Sequence, residues 1–337
     1  MMTVDFTPRD PKPKAPRRGL RDHAVMAGLV VLFLAGLAGL IGATGWQEVR
    51  DQVARLTPWQ GAVLLALSLA NYLLRGLRWH VFARRLGLPT GAVQDMRHFL
   101  GGFAMVITPG RVGELVRMRW LRRETGWAYE RTAPLALMDR ASDLAAMALI
   151  LALSVALAAR GVPGAVPVAV AALAVAFAAT RPRLVTGGVT LAHRLTGRMP
   201  RLFARARSAA RLLERVAGFR TLGPALALGI AGWLAEGYAF HLLLGWMGAD
   251  IGFWKAVLIF VFATLAGGLT GSPGGLGGAE AAMIALLALD GVPMEVSVPA
   301  TAIIRITTLW FALGIGMAVF PIAERYSLRG AHALERG

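Results

Sequence analysis

Apolar residues follow one another in long uncharged blocks along the chain. The first block, residues 24–43, reads AVMAGLVVLFLAGLAGLIGA, and about 20 such residues suffice to cross a membrane as a helix. Further blocks lie at 60–82, 132–158, 165–180, 222–247, 255–290 and 296–320. One block alone would fit a signal sequence, but this series predicts a membrane bundle. Because block 24–43 is too long for a signal core and lacks a small-residue cleavage site, we interpret it as a retained first span.

The polar residues between the blocks predict the orientation of the chain. Basic residues crowd the tail at 1–23 and the segments 83–131 and 181–221, and cytoplasmic loops carry such an excess. Segment 181–221 interleaves leucines with arginines, as an amphipathic helix on an anionic membrane surface does. With the tail at 321–337 also inside, the pattern predicts a transmembrane domain over 24–320 with both termini cytoplasmic.

This orientation works with six full spans only if two segments fail to cross. These are about 95–125 and about 255–290, and each contains a Pro-Gly break. Irregular backbone at membrane depth is tolerated where protein buries it or where it lines a cavity. The sequence therefore predicts an all-α polytopic membrane protein with about six transmembrane helices and two re-entrant or broken segments. It leaves open whether those segments are re-entrant or fully spanning.

The two breaks belong to an internal repeat. TPGRVGE at Thr108–Glu114 corresponds to SPGGLGGAE at Ser272–Glu280. Arg140 then follows Pro109 by 31 residues, and Arg305 follows Pro273 by 32. We interpret 60–158 and 222–320 as the two halves of an inverted repeat, the arrangement of many secondary transporters.

Composition and charge narrow the class of protein. Apolar residues make up 56% of the 337 positions and charged residues 16%. The chain is therefore more apolar and less charged than soluble domains are. The net charge of +17 lies at the ends of the apolar blocks, so it predicts orientation in a membrane and no nucleic-acid partner. Cysteine is absent and the six histidines show no metal-binding spacing, so we predict neither a metal nor another cofactor.

The first break carries a candidate anion site. Pro109 ends one predicted helix, and Arg111, Glu114 and Arg117 lie in the first turns of the next. Free N–H groups at a helix start, with a guanidinium beside them, suit a phosphate or carboxylate. The alternative is an interfacial helix whose arginines contact lipid phosphates.

The second break places ionisable residues among glycines. Glu280 follows Pro273 and Gly275 inside an apolar stretch, and Arg305 lies well inside the last block. Such residues are costly in a span and normally face a cavity or a partner. We expect Arg305 to pair with an acid from the other half, with Glu280 or Glu114 as the candidates. The alternatives are glycines that serve close helix packing and an ion pair that is purely structural.

Further charges occur at the start of one span. Asp139, Arg140 and Asp143 begin it, and the two aspartates, one helical turn apart, share a face. They are candidates for balancing or binding a charged ligand.

Two other blocks also carry buried charge. Asn71, Arg75 and Arg78 share one face of block 60–82, where snorkelling of the arginines to the headgroups is the alternative to a site. Glu236 lies deep in block 222–247 and is a candidate proton or cation site.

These motifs together resemble a known family, the flippase-like transmembrane domain of lysylphosphatidylglycerol synthases. The resemblance extends over roughly residues 20–325 and rests on LRGLRW at Leu74–Trp79, PGRVGELVR at Pro109–Arg117, DRASD at Asp139–Asp143, PGGLGGAE at Pro273–Glu280, and Arg305. It implies movement of a lipid with a charged headgroup between leaflets, with the two breaks forming the headgroup site. The soluble aminoacyl-transfer domain of the full-length synthases has no counterpart here, so the resemblance is to a stand-alone member.

The leading hypothesis is therefore a translocase, and not an enzyme, for a phospholipid or a polyprenyl- or hopanoid-type lipid with an anionic headgroup in the bacterial inner membrane. Coupling to H⁺ or Na⁺ is left open, as is a homodimer. One alternative is a membrane enzyme acting on a lipid phosphate, because Asp139 and Asp143 form a D-x-x-x-D pair that would suit Mg²⁺. Arg305 occupies the place where such an enzyme needs its second acidic motif. The other alternative is a partner subunit of a separate lipid synthase.

Overall fold

A computed structural model describes residues 56–106, 108, 113–158, 164–196, 203–204, 210, 212–213 and 216–336. Within these ranges every regular element is a helix and no strand occurs. The predicted basic tail at 1–23 and the predicted first span at 24–43 lie outside the described residues.

The first half of the described chain forms a long helix, a broken pair and a second long helix. Thr57 caps the first helix in a capping box with Gln60, and Gly87 ends it in the left-handed conformation, with φ 78°. A 3₁₀ turn over Gly102–Met105 extends the second helix into the break. The four helices are α1 (Pro58–Leu86), α2 (Ala92–Gly101), α3 (Gly113–Thr125) and α4 (Tyr129–Leu157).

A bent pair of helices follows the first half. The helix α5 (Ala165–Thr180) is apolar, and α6 (Pro182–Thr196) turns away from it by 89°. Helix α6 covers part of the segment 181–221 that the sequence places on the cytoplasmic surface.

The second half repeats the plan of a long helix, a broken pair and another long helix. Its break contains the 3₁₀ turn Pro273–Gly275. Gly274, Gly275 and Gly277 have φ between 65° and 81° there, a backbone region that side chains with a Cβ rarely adopt. The helices are α7 (Phe219–Trp246), α8 (Phe253–Leu269), α9 (Gly278–Leu289), α10 (Met294–Arg305) and α11 (Phe311–Arg336). A π-helical turn, Ile306–Trp310, joins α10 to α11 into one continuous span.

Length and composition make four of the described helical segments able to cross a membrane, or five if the bent pair is one span. The four are Pro58–Leu86, Tyr129–Leu157, Phe219–Trp246 and Met294–Ala333. On α1, the leucines 65, 69, 73 and 77 recur every four residues and are exposed, which forms an apolar stripe suited to lipid. The predicted all-α, multi-pass membrane fold is confirmed.

Two hairpins of short helices lie at the predicted breaks. The first hairpin comprises α2 and α3, and the second comprises α8 and α9; each of these helices is shorter than the roughly 20 residues that a crossing needs. The prediction of two broken segments is confirmed. That they enter and leave on one side, and that the two halves are inverted, stay predictions.

Helix α11 packs against the first hairpin so closely that one position must be glycine. A Cβ at Gly316 would lie 2.2 Å from the backbone nitrogen of Ala104, in the 3₁₀ turn of the first hairpin. A Cβ at Gly314, two residues earlier, would meet nothing within 4 Å. The contact at Gly316 therefore positions the first hairpin relative to the last span.

We expect Gly316→Ala to lower the free energy of unfolding by about 1–3 kcal/mol, the usual cost of overpacking against backbone that cannot move aside. The matched control Gly314→Ala should be neutral or stabilising by about 0.5–1 kcal/mol, because alanine favours a helix. Thermal unfolding in detergent compares the two variants. Equal midpoints would show that the hairpin is free to shift away from α11.

Candidate functional site

A cavity of about 570 Å³ lies between the two hairpins, and its wall includes residues that flank the first break and glycines of the second break. The first hairpin supplies Gly102, Phe103, Glu114 and Arg117, and the second supplies Gly274 and Gly275. The long helices supply Tyr72, Arg75, Arg140, Asp143, Trp233, Glu236 and Arg305. Residues that are far apart in the sequence thus meet around one space, as the repeat of Pro-Gly breaks predicts.

Each hairpin places a glutamate against an arginine of the following long helix. In the first half, Arg140 donates a hydrogen bond to Glu114. In the second half, Arg305 Nε lies 2.5 Å from Glu280 Oε1, and its Nη2 donates to the Gly274 carbonyl at 2.9 Å. Of the two candidate partners of Arg305, Glu280 is confirmed, whereas Glu114 pairs with Arg140. The expectation of a partner from the other half is wrong, because each pair lies within one half of the repeat. The two pairs occupy equivalent positions of the repeat, so the spacing of the motifs has a structural counterpart.

Asp143 is the centre of a polar cluster on the wall between α1, α4 and α7. Its carboxylate lies 2.5 Å from Arg75 Nη2 and 2.8 Å from Arg78 Nη1. The indole Nε1–H of Trp233 donates to it at 3.2 Å, and the Arg75 guanidinium lies 5.0 Å from the centre of that ring. The arginines therefore neutralise Asp143 and hold it in place.

Arg78 and Asp139 form a buried ion pair away from the cavity wall. Arg78 Nη2 lies 2.6 Å from Asp139 Oδ1, and both side chains are almost fully buried. The aspartates face α1 together, as their spacing predicts. The alternative that Arg75 and Arg78 extend to the lipid headgroups is wrong, because carboxylates inside the bundle bind both guanidinium groups. Neither Arg78 nor Asp139 lines the cavity, so the structure does not bring them to the candidate site.

Arg117 differs from the other arginines of the cavity because it has no carboxylate partner among the described residues. It is 3% exposed, and its Nη2 donates only to the Phe99 carbonyl, at 2.9 Å. Its guanidinium lies 4.4 to 5.6 Å from the rings of Phe99, Trp79 and Phe103. Its Nε and Nη1 are buried without a hydrogen-bond partner. A buried cation with free donors beside a cavity is suited to an anion.

Glu236 is the acidic counterpart of Arg117. It is 4% exposed, lines the cavity and forms none of the ion pairs found in the described part of the chain. Asn71 lies beside it across the contact of α1 with α7. Both side-chain polar atoms of Asn71, and the hydroxyl of Ser68 one turn earlier, are buried without a hydrogen-bond partner.

The remaining predicted residues divide into three groups. Glu114, Arg140, Gly275 and Arg305 line the cavity, and Glu280 lies behind Arg305 as its partner. Pro273 begins the 3₁₀ turn of the second break. Pro109 and Arg111 lie outside the described residues.

Three residues of the cavity wall were not predicted from the sequence: Tyr72, Phe103 and Trp233. Trp233 precedes Glu236 by three positions, which places both on one face of α7, so helical spacing from a buried acid is the signal that points to it. The Tyr72 hydroxyl donates to the Thr308 carbonyl at 2.6 Å, inside the π-helical turn. Tyr72 precedes Arg75 by three positions on α1, so the same helical spacing points to it.

Two exposed apolar residues lie at the edge of the cavity. Val175 on α5 is 58% exposed and Leu269 at the end of α8 is 81% exposed, and both line it. Val175 and Leu269 thus form an apolar rim where the cavity, whose interior is lined by charged residues, meets the outside of the bundle.

The described residues contain no group of three or more His, Asp or Glu side chains arranged to hold a metal ion. Asp139 and Asp143, the pair that would suit Mg²⁺, are held instead by Arg75 and Arg78.

The fold and the cavity define a multi-pass membrane protein in which two broken helical segments surround an arginine-rich site. The chain belongs to the family described as the lysylphosphatidylglycerol synthase TM region, whose profile matches residues 25–316. The resemblance inferred from the motifs is therefore confirmed.

Two relatives are membrane proteins of an archaeon, Methanothermobacter thermautotrophicus, and both carry the name UPF0104 membrane protein. One is 25% identical over 321 residues, which cover 87% of this chain and 94% of the relative. The other is 31% identical over 102 residues, which cover 30% of each chain. Both names describe a membrane protein without specifying a ligand.

Proposed function

We propose that this protein is a lipid translocase that moves a lipid with an anionic headgroup between membrane leaflets, and that it is not an enzyme. The observation that carries the proposal is Arg117. Its guanidinium is buried beside the cavity with two free nitrogens, while carboxylates hold Arg75, Arg140 and Arg305. A phosphate would accept hydrogen bonds from those nitrogens and complete the charge pairing of the site.

The dimensions and the rim of the cavity support a lipid as the ligand. A volume of about 570 Å³ falls within the range of small-molecule sites and suits a headgroup without its tails. The exposed apolar rim at Val175 and Leu269 would leave acyl or prenyl tails in the bilayer while the headgroup occupies the charged interior.

The two hairpins suggest how the cavity would open to one leaflet and then to the other. In transporters with inverted repeats, one repeat rocks against the other around a site near the midplane. Here the first hairpin carries Glu114 and Arg117 and the second carries Gly274, Gly275 and Glu280. Movement of one hairpin against the other would open the cavity to one leaflet and then to the other.

The proposal also specifies the membrane and the orientation of the chain in it. We place the protein in the bacterial inner membrane with both termini cytoplasmic, from the distribution of arginine along the chain. Partnership with a separate lipid synthase and assembly as a homodimer stay predictions.

Reconstitution tests the proposal. Vesicles containing the purified protein and acyl-labelled phosphatidylglycerol should lose inner-leaflet fluorescence to an external quencher faster than protein-free vesicles do, because the cavity lets the headgroup cross. Anionic lipid should also be enriched among the lipids that co-purify with the protein.

An acyl-labelled phosphatidylcholine reports general leakiness and should move more slowly than the anionic probe. Vesicles that remain as tight as the protein-free control, with no anionic lipid enriched on the purified protein, would reject the translocase. The partner-subunit hypothesis would then take precedence.

A further inference from the structure

We propose that Glu236, together with Asn71, is a site for a proton, or for Na⁺ in its place, whose occupation is coupled to binding of the anionic headgroup. The inference rests on the proposed function and adds the coupling partner. Two observations support it: the balance of charges around the cavity, and the buried polar atoms of Asn71 and Ser68 beside Glu236.

Among the described residues of the site, ion pairs account for all but two of the charged groups. Carboxylates and guanidinium groups pair as Arg75 with Asp143, Arg78 with Asp139, Arg140 with Glu114, and Arg305 with Glu280. Arg117 and Glu236 remain outside these pairs. With Glu236 ionised, the described site is neutral, and the unpaired cation balances the unpaired anion.

An anionic headgroup on Arg117 changes this balance. The bound phosphate would use the charge of Arg117 and leave Glu236 as an uncompensated carboxylate in a buried, apolar surrounding. Burying an unpaired charge is costly, and neutralising the group avoids the cost. A proton or Na⁺ at Glu236 would restore neutrality, so the anion and the cation should each increase the affinity for the other.

The groups around Glu236 are suited to a cation. Tyr72 and Arg75 approach it from α1, Asp143 from α4 and Arg305 from α10, and all three charged residues have partners elsewhere. Lys255, the charged residue of α8, is bound to Asp290 at 2.9 Å. Carboxylates and guanidinium groups around Glu236 therefore neutralise one another and leave its own charge to be balanced by something else.

Asn71 supplies the rest of the site. A Cβ at Gly232, one turn before Glu236, would lie 2.5 Å from Asn71 Oδ1, so the bare glycine lets α1 and α7 approach at this level. The amide of Asn71 and the hydroxyl of Ser68 are buried, lie beside the Glu236 carboxyl and the Tyr72 hydroxyl, and form no hydrogen bond of normal geometry with the described residues. Their oxygens suit Na⁺, and the amide also suits a protonated carboxyl.

The test measures phosphatidylglycerol binding by the full-length protein in detergent across a pH series, with phosphatidylethanolamine as a probe of no net charge. In the wild type, affinity for phosphatidylglycerol should rise by roughly 5- to 150-fold as pH falls, the usual range for coupled sites, with uptake of a proton. Glu236→Gln, which mimics the protonated acid, should bind at the high-affinity plateau at every pH. Glu295→Gln, which removes an exposed carboxylate at the start of α10, should behave as the wild type.

Sodium is distinguished by replacing it with choline at constant pH. If Na⁺ is the coupled ion, affinity should rise with its concentration in the wild type and not in Glu236→Gln. Wild-type binding that responds to neither pH nor Na⁺ would overturn the coupling site and leave the translocase standing, as would a Glu236→Gln protein that keeps the wild-type response. If the wild type binds no phosphatidylglycerol at any pH, the translocase itself fails. The wild-type measurements decide the question even if the variant does not fold.

Discussion

Arg117→Gln should lower the affinity for phosphatidylglycerol by about 10- to 150-fold, because a hydrogen-bonded charged donor contributes about 1.5–3 kcal/mol and each 1.4 kcal/mol is tenfold. Transport of the labelled lipid in vesicles should fall with it. The guanidinium is the described cation of the cavity that no carboxylate neutralises. Its loss therefore removes the group that we assign to the phosphate.

The same variant should fold well, which separates binding from stability. Because Arg117 forms no ion pair with a described carboxylate, its replacement breaks no salt bridge. Glu236, whose charge it balances, can take up a proton in its place, so the thermal midpoint should stay near the wild-type value. By contrast, Arg305→Gln leaves Glu280 uncompensated and should lower both stability and transport.

Arg117→Lys tests whether the positive charge alone is enough to bind the headgroup or whether the planar guanidinium is needed. Lysine keeps the charge but lacks the planar group that lies among Trp79, Phe99 and Phe103, so recovery of binding should be partial. An Arg117→Gln protein that is stable and binds phosphatidylglycerol with wild-type affinity would contradict the assignment.

Arg78→Met should destabilise the protein by about 3–5 kcal/mol, the usual cost of leaving one partner of a buried ion pair uncompensated. Arg78 and Asp139 are both nearly free of solvent, and neither lines the cavity. The thermal midpoint in detergent should fall strongly for this variant and less for Asp139→Leu, because Arg78 then keeps Asp143 as a partner at 2.8 Å.

The double variant Arg78→Met/Asp139→Leu should recover most of that loss, because an apolar pair of similar volume can replace a buried ion pair at little cost. Asp143 keeps Arg75 and the Trp233 indole as partners. Transport by the double variant should remain near the wild-type rate. A double variant that is stable but moves no lipid would return Arg78 and Asp139 to the binding site.

The sequence by itself determined the class of the protein and the plan of its fold. The hydrocarbon core of a membrane demands about 20 apolar residues for each crossing, so the blocks at 60–82, 132–158 and 222–247 predict helices long and apolar enough to cross, and the structure contains them. Because backbone polar groups find no partner in lipid, the sequence also predicts that protein surrounds the Pro-Gly breaks.

The sequence indicated that the intramembrane charges need partners, but it did not fix each pair. Glu280 and Arg305 are each costly alone in an apolar stretch, and Glu280 was one of two candidate partners that the structure tests. The expectation that Arg305 pairs with an acid of the other half was wrong, because Glu280 belongs to the same half.

Only the tertiary structure decided which charges are neutralised and which are free. Arg75, Arg78 and Arg117 are all arginines at helical spacing near apolar residues, and nothing in their local sequence separates them. The first two meet carboxylates of α4, whereas Arg117 meets aromatic rings and a backbone carbonyl. Their partners come from distant parts of the chain, and the rotation and depth of each helix, set by packing of the whole bundle, determine which side chains meet.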